Sequence, residues 1–488
     1  MSTITVTSLT FAYEGTPDNV FEDVSFRFDT DWKLGFVGRN GRGKTTFLKL
    51  LMKEYPYRGK IDTPCSFSYF PFSEVNEQGS AVDAVDSVIP DYEFWELCRE
   101  VNLLGLSEEK LFLPYLALSQ GERIKILIAA LFLCQNSFLL LDEPTNHLDA
   151  EGRETLQAYL KTKKGFLIVS HDRNLLDAVT DHTLSINREN IEIQKGNFSQ
   201  WFENKELQDN FERSENEKLK KDISRYKEAA RRTSTWSDKV EATKYGNGPV
   251  DRGFIGAKSA KMMKRAKSAE SRFEKAAEQK TQLLRNIETI GSLKLSPLHF
   301  HKDTLVNISG LSIQYDDTPV LSEFDLQIKQ GDRIALQGGN GSGKSSILKI
   351  LAGEDIPHTG TVHVSSGLII SYISQDTSFL AGSLPEFAAS TGVNRTLLTT
   401  ILRNLGFERN HFENNLAEFS EGQKKKVLLA KSLCEAAHLY IWDEPLNYID
   451  VLSRMQIEDV LLKYEPTMLF VEHDRFFSER IATSYCNL

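Results

Sequence analysis

A chain of 488 residues has room for about three domains, each with its own core. With 40% hydrophobic and 26% charged residues it has the composition of a folded globular protein, which excludes disordered, collagen-like and membrane-embedded classes. Its net charge of −10, taken as a whole, argues against a polyanionic partner such as nucleic acid unless the charge is unevenly placed.

The N-terminal MSTITVTSLTF has no basic segment followed by a long apolar run, so no signal peptide is expected and the location is read as cytoplasmic. The first motif, GRNGRGKT from Gly38, fits GxxxxGK[ST]. Gly38, Gly41 and Gly43 let backbone N–H groups face phosphate oxygens at a helix N-terminus. Lys44 is expected on the β- and γ-phosphates and the Thr45 hydroxyl on Mg²⁺, with Asn40 and Thr46 completing the loop. The best apolar run for a membrane span, 126–134, is less than half of the ~20 residues required.

FLLLDE (138–143) reads as a buried strand ending in acid. Asp142 there would hold the metal through water. Glu143 would position or deprotonate the attacking water. A second apolar run, FLIVSH (166–171), ends at His171.

The middle of the chain changes character. Leu219, Ile223, Tyr226 and Ala230 form a short seam; Met262, Ala266, Ala269, Phe273, Ala276, Lys280, Leu283, Ile287 and Ile290 form a longer one in steps of four and three. Between them lies KYGNGPVDRGFIG (244–256), rich in turn residues. A helical hairpin is expected, with arms of ~30 to 35 residues carrying its tip ~45 to 50 Å outward. Segment 211–280 holds 19 basic and 11 acidic residues, net +8, against −18 for the remainder. Basic charge interleaved with Trp236, Tyr245 and Phe254 suits RNA, through phosphate contacts and base stacking.

The first half then repeats. GGNGSGKS from Gly338 supplies Gly338, Gly339, Asn340, Gly341, Gly343, Lys344, Ser345 and Ser346; LYIWDE (439–444) supplies Asp443 and Glu444; LFVEH ends at His473. The offsets Lys44 to Lys344, Glu143 to Glu444 and His171 to His473 are 300, 301 and 302 residues. Near-constant offsets mean duplication of a whole domain. The expected organisation is α/β throughout: 1–199 a first nucleotide-binding domain, 200–295 a hairpin linker with its tip at about 241–256, and 296–488 a second domain. Cys65, Cys98, Cys134, Cys434 and Cys486 are scattered with no CxxC pair, so disulfides, zinc and iron–sulfur sites are not expected.

These motifs resemble those of ATP-binding-cassette ATPases. LSQGE (118–122) and FSEGQ (419–423) look like the cassette signature, Asp149 and Asp450 match the D-loop, and His171 and His473 match the switch histidine that senses the γ-phosphate. The resemblance implies that Tyr13 and Tyr315 stack on adenine and that Gln375 is the Q-loop glutamine, touching metal and nucleotide. It also implies head-to-tail pairing of the cassettes within one monomeric chain. One ATP site would then join Lys44, Thr45, Asp142, Glu143 and His171 to Ser420 and Gly422. The other would join Lys344, Ser345, Asp443, Glu444 and His473 to Ser119 and Gly121. One departure stands out: aligning SYFPFS (68–73) with SYISQD (371–376) puts Phe72 opposite Gln375. A phenyl ring can neither bind Mg²⁺ nor orient water, so the first site is expected to hydrolyse more slowly.

Twin cassettes, a helical linker and no membrane segment resemble the ABC-F translation factors across essentially the whole chain. WKLGFVGRNGRGKTT (32–46), GNFSQW (196–201), KYGN (244–247) and YIWDEPLNYID (440–450) look like the Lsa-type antibiotic-resistance branch. The resemblance implies ATP and Mg²⁺ as cofactors and the 70S ribosome as partner, at its E site and 23S rRNA, with no membrane and no obligate protein partner. By the same similarity the linker would shift P-site tRNA and free lincosamide, streptogramin A or pleuromutilin drugs, and ATP hydrolysis would release the factor. Lys244, Tyr245, Gly246, Asn247, Val250 and Phe254, with Trp236, are the tip residues expected to touch tRNA or rRNA. A transport ATPase awaiting membrane subunits and a DNA-organising ATPase are the rival classes.

Overall fold

The computed structural model describes residues 2–14, 19–89, 91–146, 148–186, 191–242, 264, 268, 271–273, 275, 293–315, 318–339, 341–407 and 409–488. Two units emerge, 1–201 together with 291–488, and 202–290. The first holds both nucleotide-binding domains.

In the first domain the elements run β1 (Thr3–Phe11), β2 (Phe21–Asp29), β3 (Lys33–Val37), α1 (Lys44–Leu51), β4 (Arg58–Asp62), β5 (Ser66–Phe70), α2 (Ala81–Val88), α3 (Phe94–Leu103), α4 (Gln120–Leu131), β6 (Ser137–Asp142), α5 (Ala150–Thr162), β7 (Phe166–Val169), α6 (Arg173–Val179), β8 (His182–Ile186) and β9 (Ile191–Lys195). The main sheet has the order β5-β6-β7-β3-β8-β9, and its ladders are parallel except for β9. The apolar runs expected as covered parallel strands lie here: Leu140, Leu141, Leu167 and Ile168 are fully buried. A second, antiparallel sheet, β2-β1-β4, adds to the parallel strands that the apolar runs imply. Strand β1 alternates buried and exposed residues, as one covered face requires, and that face packs Ile4, Val6 and Leu9 onto Phe47 of α1.

The second domain repeats the plan with β10 (Thr304–Tyr315), β11 (Thr318–Lys329), β12 (Arg333–Gln337), β13 (His358–Val364), β14 (Ile370–Ile373), β15 (Leu439–Asp443), β16 (Met468–Val471) and β17 (Ser484–Asn487). Its helices are α8 (Lys344–Leu351), α9 (Leu384–Thr391), α10 (Arg395–Asn404), α11 (Glu421–Cys434), α12 (Val451–Tyr464) and α13 (Arg475–Ile481), numbered after linker helix α7 (Phe198–Ala242). The parallel sheet β14-β15-β16-β12-β17 faces an antiparallel β11-β10-β13. Trp442, Tyr440 and Phe470 fill its centre.

Helix α7 runs 45 residues, longer than the expected arm, because no glycine or proline interrupts it from Phe198 to Ala242. Its start is built by GNFSQW. Asn197 accepts the Gln200 N–H at 3.1 Å, Asp177 accepts both the N–H and the hydroxyl of Ser199, and Phe198 and Trp201 are buried with rings 5.6 Å apart. Of the first seam, Ile223 is buried and Leu219 half-buried. Trp236 falls within α7. Lys244, Tyr245, Gly246, Asn247, Val250 and Phe254 lie outside the described residues, as does the second seam apart from Phe273, and as does Asn340.

Candidate nucleotide sites

Each P-loop leads from a strand end into a helix N-terminus: β3 into α1 and β12 into α8. The residue before each helix is a glycine for a physical reason. Gly43 has φ +89°, and a Cβ there would stand 2.6 Å from Val20. The Lys44 ammonium donates to the carbonyls of Gly38 at 2.7 Å and Arg39 at 3.2 Å and to Asn40 Oδ1 at 3.3 Å. Lys344 does the same with Gly338 at 2.9 Å and Gly339 at 2.7 Å. Burial lowers both lysines from their ordinary value. Tyr13 donates or accepts with Thr46 at 2.7 Å, and Tyr315 with Ser346 at 3.1 Å. Both rings are about two-fifths exposed, and that of Tyr13 also packs edge-on against Phe11 and Tyr55.

The carboxylates follow their strands. Glu143 and Glu444 sit at φ +53° and +47°, with N–H groups held by Val169 and Val471. Two non-glycine residues in this costly region at matching places in both domains mark geometry that the surroundings enforce. Each glutamate lies 3.2 Å from its histidine, Glu143 from His171 and Glu444 from His473.

Beyond this the two sites differ. Glu444 accepts from Gln375 at 3.2 Å and from Asn447 at 2.6 Å. Burial alone would raise Glu444, but His473 and the cation Lys425 offset it and hold the carboxyl below its ordinary value. In the first site burial, then the charge of Asp142, push Glu143 up to about 8. Burial and the neighbouring Lys44 push His171 well below its usual range. The two glutamates are thus pushed in opposite directions, the second toward its ionised form and the first away from it. The β5–β6 and β14–β15 ladders, pairing Phe70 with Leu141 and Ile373 with Trp442, put Phe72 and Gln375 at matching positions two residues on.

The metal-site residues also differ. Asp142 accepts from Thr45 at 2.8 Å and Tyr69 at 3.1 Å. Both oxygens of Asp443 are buried with no partner at close hydrogen-bond geometry among the described residues; burial raises that carboxyl, and the neighbouring Ser345 hydroxyl opposes the rise. A buried acid beside a P-loop, with the Ser345 hydroxyl next to it, suits a divalent cation. The donor set Asp443 and Ser345 therefore fits Mg²⁺, whereas Gln375 turns to Glu444.

The halves pack head to tail. A cavity of about 1030 Å³ is lined on one side by Ser119, Gly121 and Asp149 and on the other by Gly341, Gly343, Lys344, Ser345, Ser346, Tyr315, Gln375, Glu444 and His473. The first P-loop instead touches the second D-loop. Asn40 donates through its side chain to Tyr448 O at 2.8 Å and through its backbone to Asp450 at 3.5 Å. Asp450 is held down to about 2: burial opposes this, but Lys426 and Lys44 prevail. Ser420 caps α11, and Gly422 packs on Tyr448 with room for no Cβ. Ser119 likewise caps α4 by accepting the Glu122 N–H, while Glu122 accepts the Ser119 N–H.

Motif reading missed several residues. Arg454 is buried and joins Ile449 O, Leu446 O and Asp474, tying the loop before Asp450 to the segment after His473; Arg153 bonds Leu148 O in the first domain. Glu472, where the first domain has Ser170, accepts the N–H groups of Leu446 and His473. Comparing the two halves position by position would have singled it out.

A family profile described as ABC transporter matches residues 21–146 and 321–447, just over half the chain. Among curated proteins the chain is similar to the ribosome protection protein VmlR of Bacillus subtilis (strain 168), 28% identical over 98% of this chain and 86% of the relative. It is 27% identical to the probable ATP-binding protein YheS of Escherichia coli (strain K12), over 91% and 72% of the two chains. It is 24% identical to the energy-dependent translational throttle protein EttA of Haemophilus influenzae, over 95% and 88%. Among solved structures, the archaeal ribosome recycling factor aABCE1, in complex with ribosomal stalk protein aP1, superposes with TM-score 0.62 at 20% identity, over 98% of this chain and 87% of that one.

Proposed function

This chain belongs to the ABC transporter family and is an ATPase, and from that premise we propose that it is a ribosome-binding factor of the ABC-F kind, of the Lsa-type resistance branch. In its ATP-closed form it occupies the E site of the 70S ribosome as a monomer. Linker residues 200–295 reach P-site tRNA and 23S rRNA, shift the tRNA and promote release of lincosamides, streptogramin A or pleuromutilins. Hydrolysis then releases the factor.

The observation that carries this reading is the union of two cassettes in one chain around a segment of net +8. A relative named as a ribosome protection protein aligns with 98% of that arrangement. Among the described residues no helix is long and apolar enough to cross a membrane.

Within the second site the residues divide the work. Lys344 and the P-loop N–H groups hold the phosphates, and Ser119 closes the site from the opposite cassette. Asp443 and Ser345 would hold Mg²⁺, which offsets phosphate charge when bound. Glu444, ionised and fixed by His473, Asn447 and Gln375, accepts the proton of the attacking water.

The test is sedimentation of Glu143→Gln/Glu444→Gln protein with 70S ribosomes. ATP should trap the variant in the ribosomal pellet well above wild type. Equal recovery of the two would remove the ribosomal reading.

A further inference from the structure

The first cassette carries a surface that its duplicate lacks. Helix α3 and the 3-10 turn Glu108–Phe112 expose Phe94, Trp95, Leu103 and Phe112, with Leu113 and Leu116 next in the chain; these side chains are 43% to 66% exposed. The Phe94 and Phe112 rings lie 5.9 Å apart. Phe94, Trp95, Leu103, Cys98 and Glu108 line a concavity of about 660 Å³.

The duplication provides a comparison inside the same molecule. Helix α10 and the turn Arg409–Glu413 match α3 and Glu108–Phe112 in length and place, 301 residues later. The six positions there are Arg395, Thr396, Asn404, Glu413, Asn414 and Ala417. The backbone plan therefore does not require apolar residues at these sites. Charge differs as well: residues 91–109 hold six acids and one base, whereas 392–410 hold one acid and three bases.

We infer that this face of the first cassette docks a cationic amphipathic segment of a protein partner. Clustered exposed aromatics mark a protein interface, and Trp and Phe in a concavity serve as anchors. One cation, Arg99, lies over the Trp95 ring in this concavity; Asp91, Glu93, Glu96, Glu108 and Glu109 nearby in the chain outnumber it, favour flanking Lys or Arg on the partner and repel phosphate backbones. A helix laying its apolar stripe over Trp95 and Phe112 satisfies both features. This surface stands independently of the ribosomal reading; if that reading holds, the partner is a basic ribosomal protein.

Fluorescence anisotropy of a labelled, about 18-residue Leu/Lys amphipathic helix against the full chain, in about 0.15 M salt, tests the idea. A Leu/Glu helix and a single-stranded oligouridine serve as the other probes. The Leu/Lys helix should bind about tenfold or more tightly than either. Trp95→Thr/Phe112→Glu/Leu116→Ala, which installs the second cassette's residues at exposed positions, should weaken it about tenfold with the ATPase rate unchanged. Equal binding to wild type and variant would overturn the proposal. So would tighter binding of the RNA, or concentration-dependent dimerisation of wild type that the variant abolishes, since a second copy would then be the occupant.

Discussion

Arg173 and Glu458, 285 residues apart in the chain, meet as a two-pronged buried ion pair at 2.6 and 3.1 Å and join the two cassettes. Arg173 also lies over the Phe476 ring, and Arg480 gives Glu458 a second cation at 2.7 Å. The matching arginine, Arg475, reaches Glu154 at 3.2 Å with both side chains largely exposed. Cross-cassette pairing is thus dry at one point and wet at the other.

Removing one member of a buried pair strands the other. Glu458→Leu leaves Arg173 buried without its carboxylate and should cost about 3–5 kcal/mol. Arg173→Met should cost less, because Arg480 still neutralises Glu458. The double substitution should recover much of the loss. Urea unfolding of the three variants measures the cycle, and simple additivity would contradict this coupling.

Lys44→Ala and Lys344→Ala each leave one working site. In single-turnover assays the Lys344→Ala protein, which relies on the Phe72 site, should hydrolyse ATP about ten- to a hundredfold more slowly than Lys44→Ala. Adding Phe72→Gln to the slower variant should raise its rate. Equal rates in the two lysine variants would show that Phe72 is no handicap.

Asp443 is poised for a cation, so Asp443→Asn should raise the Mg²⁺ concentration for half-maximal ATPase activity by about ten- to a hundredfold. Tyr69→Phe, which removes only a hydroxyl bonded to Asp142, should have a smaller effect. A magnesium titration that leaves the Asp443→Asn midpoint unmoved would exclude this role.

Glu100 is buried on α3 and accepts from Tyr159 at 2.6 Å, from Arg99 at 3.0 Å and from Lys163. Burial pushes its carboxyl up, but Lys163, Tyr159 and Arg99 together hold it below its ordinary value. Its stabilisation is complete above the unfolded carboxylate pKa and disappears as pH falls through the lower folded one. The stability gap between wild type and Glu100→Gln should therefore be full at pH 7 and shrink as pH drops below about 4. Urea midpoints across that range provide the check.

Sequence spacing picks out Lys44, Thr45, Asp142, Glu143 and their counterparts as candidates because each sits within a few residues of a strand end or helix start. The parallel sheets were legible for the same reason, since FLLLDE and LYIWDE read as covered strands. Arg173 with Glu458 and Asn40 with Tyr448 were not legible, because they depend on how two halves pack rather than on local pattern. The extra antiparallel sheet was visible only as alternation in TITVTSLTF, a signal that short motifs overshadowed. Glu472 and the apolar face at 94–116 were present as differences between the copies.

The capping boxes at Ser119 and Ser420 place a constraint on any experiment with the signature serines. A hydroxyl that accepts an N–H from its own helix still has a proton to give, and at Ser119 that hydroxyl belongs to a residue lining the cavity that the opposite P-loop helps to form. Alanine at Ser119 would remove the donor and also unravel the start of α4, so lost activity could be read either way. Glycine tolerates the cap position at a cost of only a few tenths of a kcal/mol. Serine-to-glycine exchange therefore isolates recognition from folding at these two positions, and the contrast with alanine measures how much of each signature's effect is architectural.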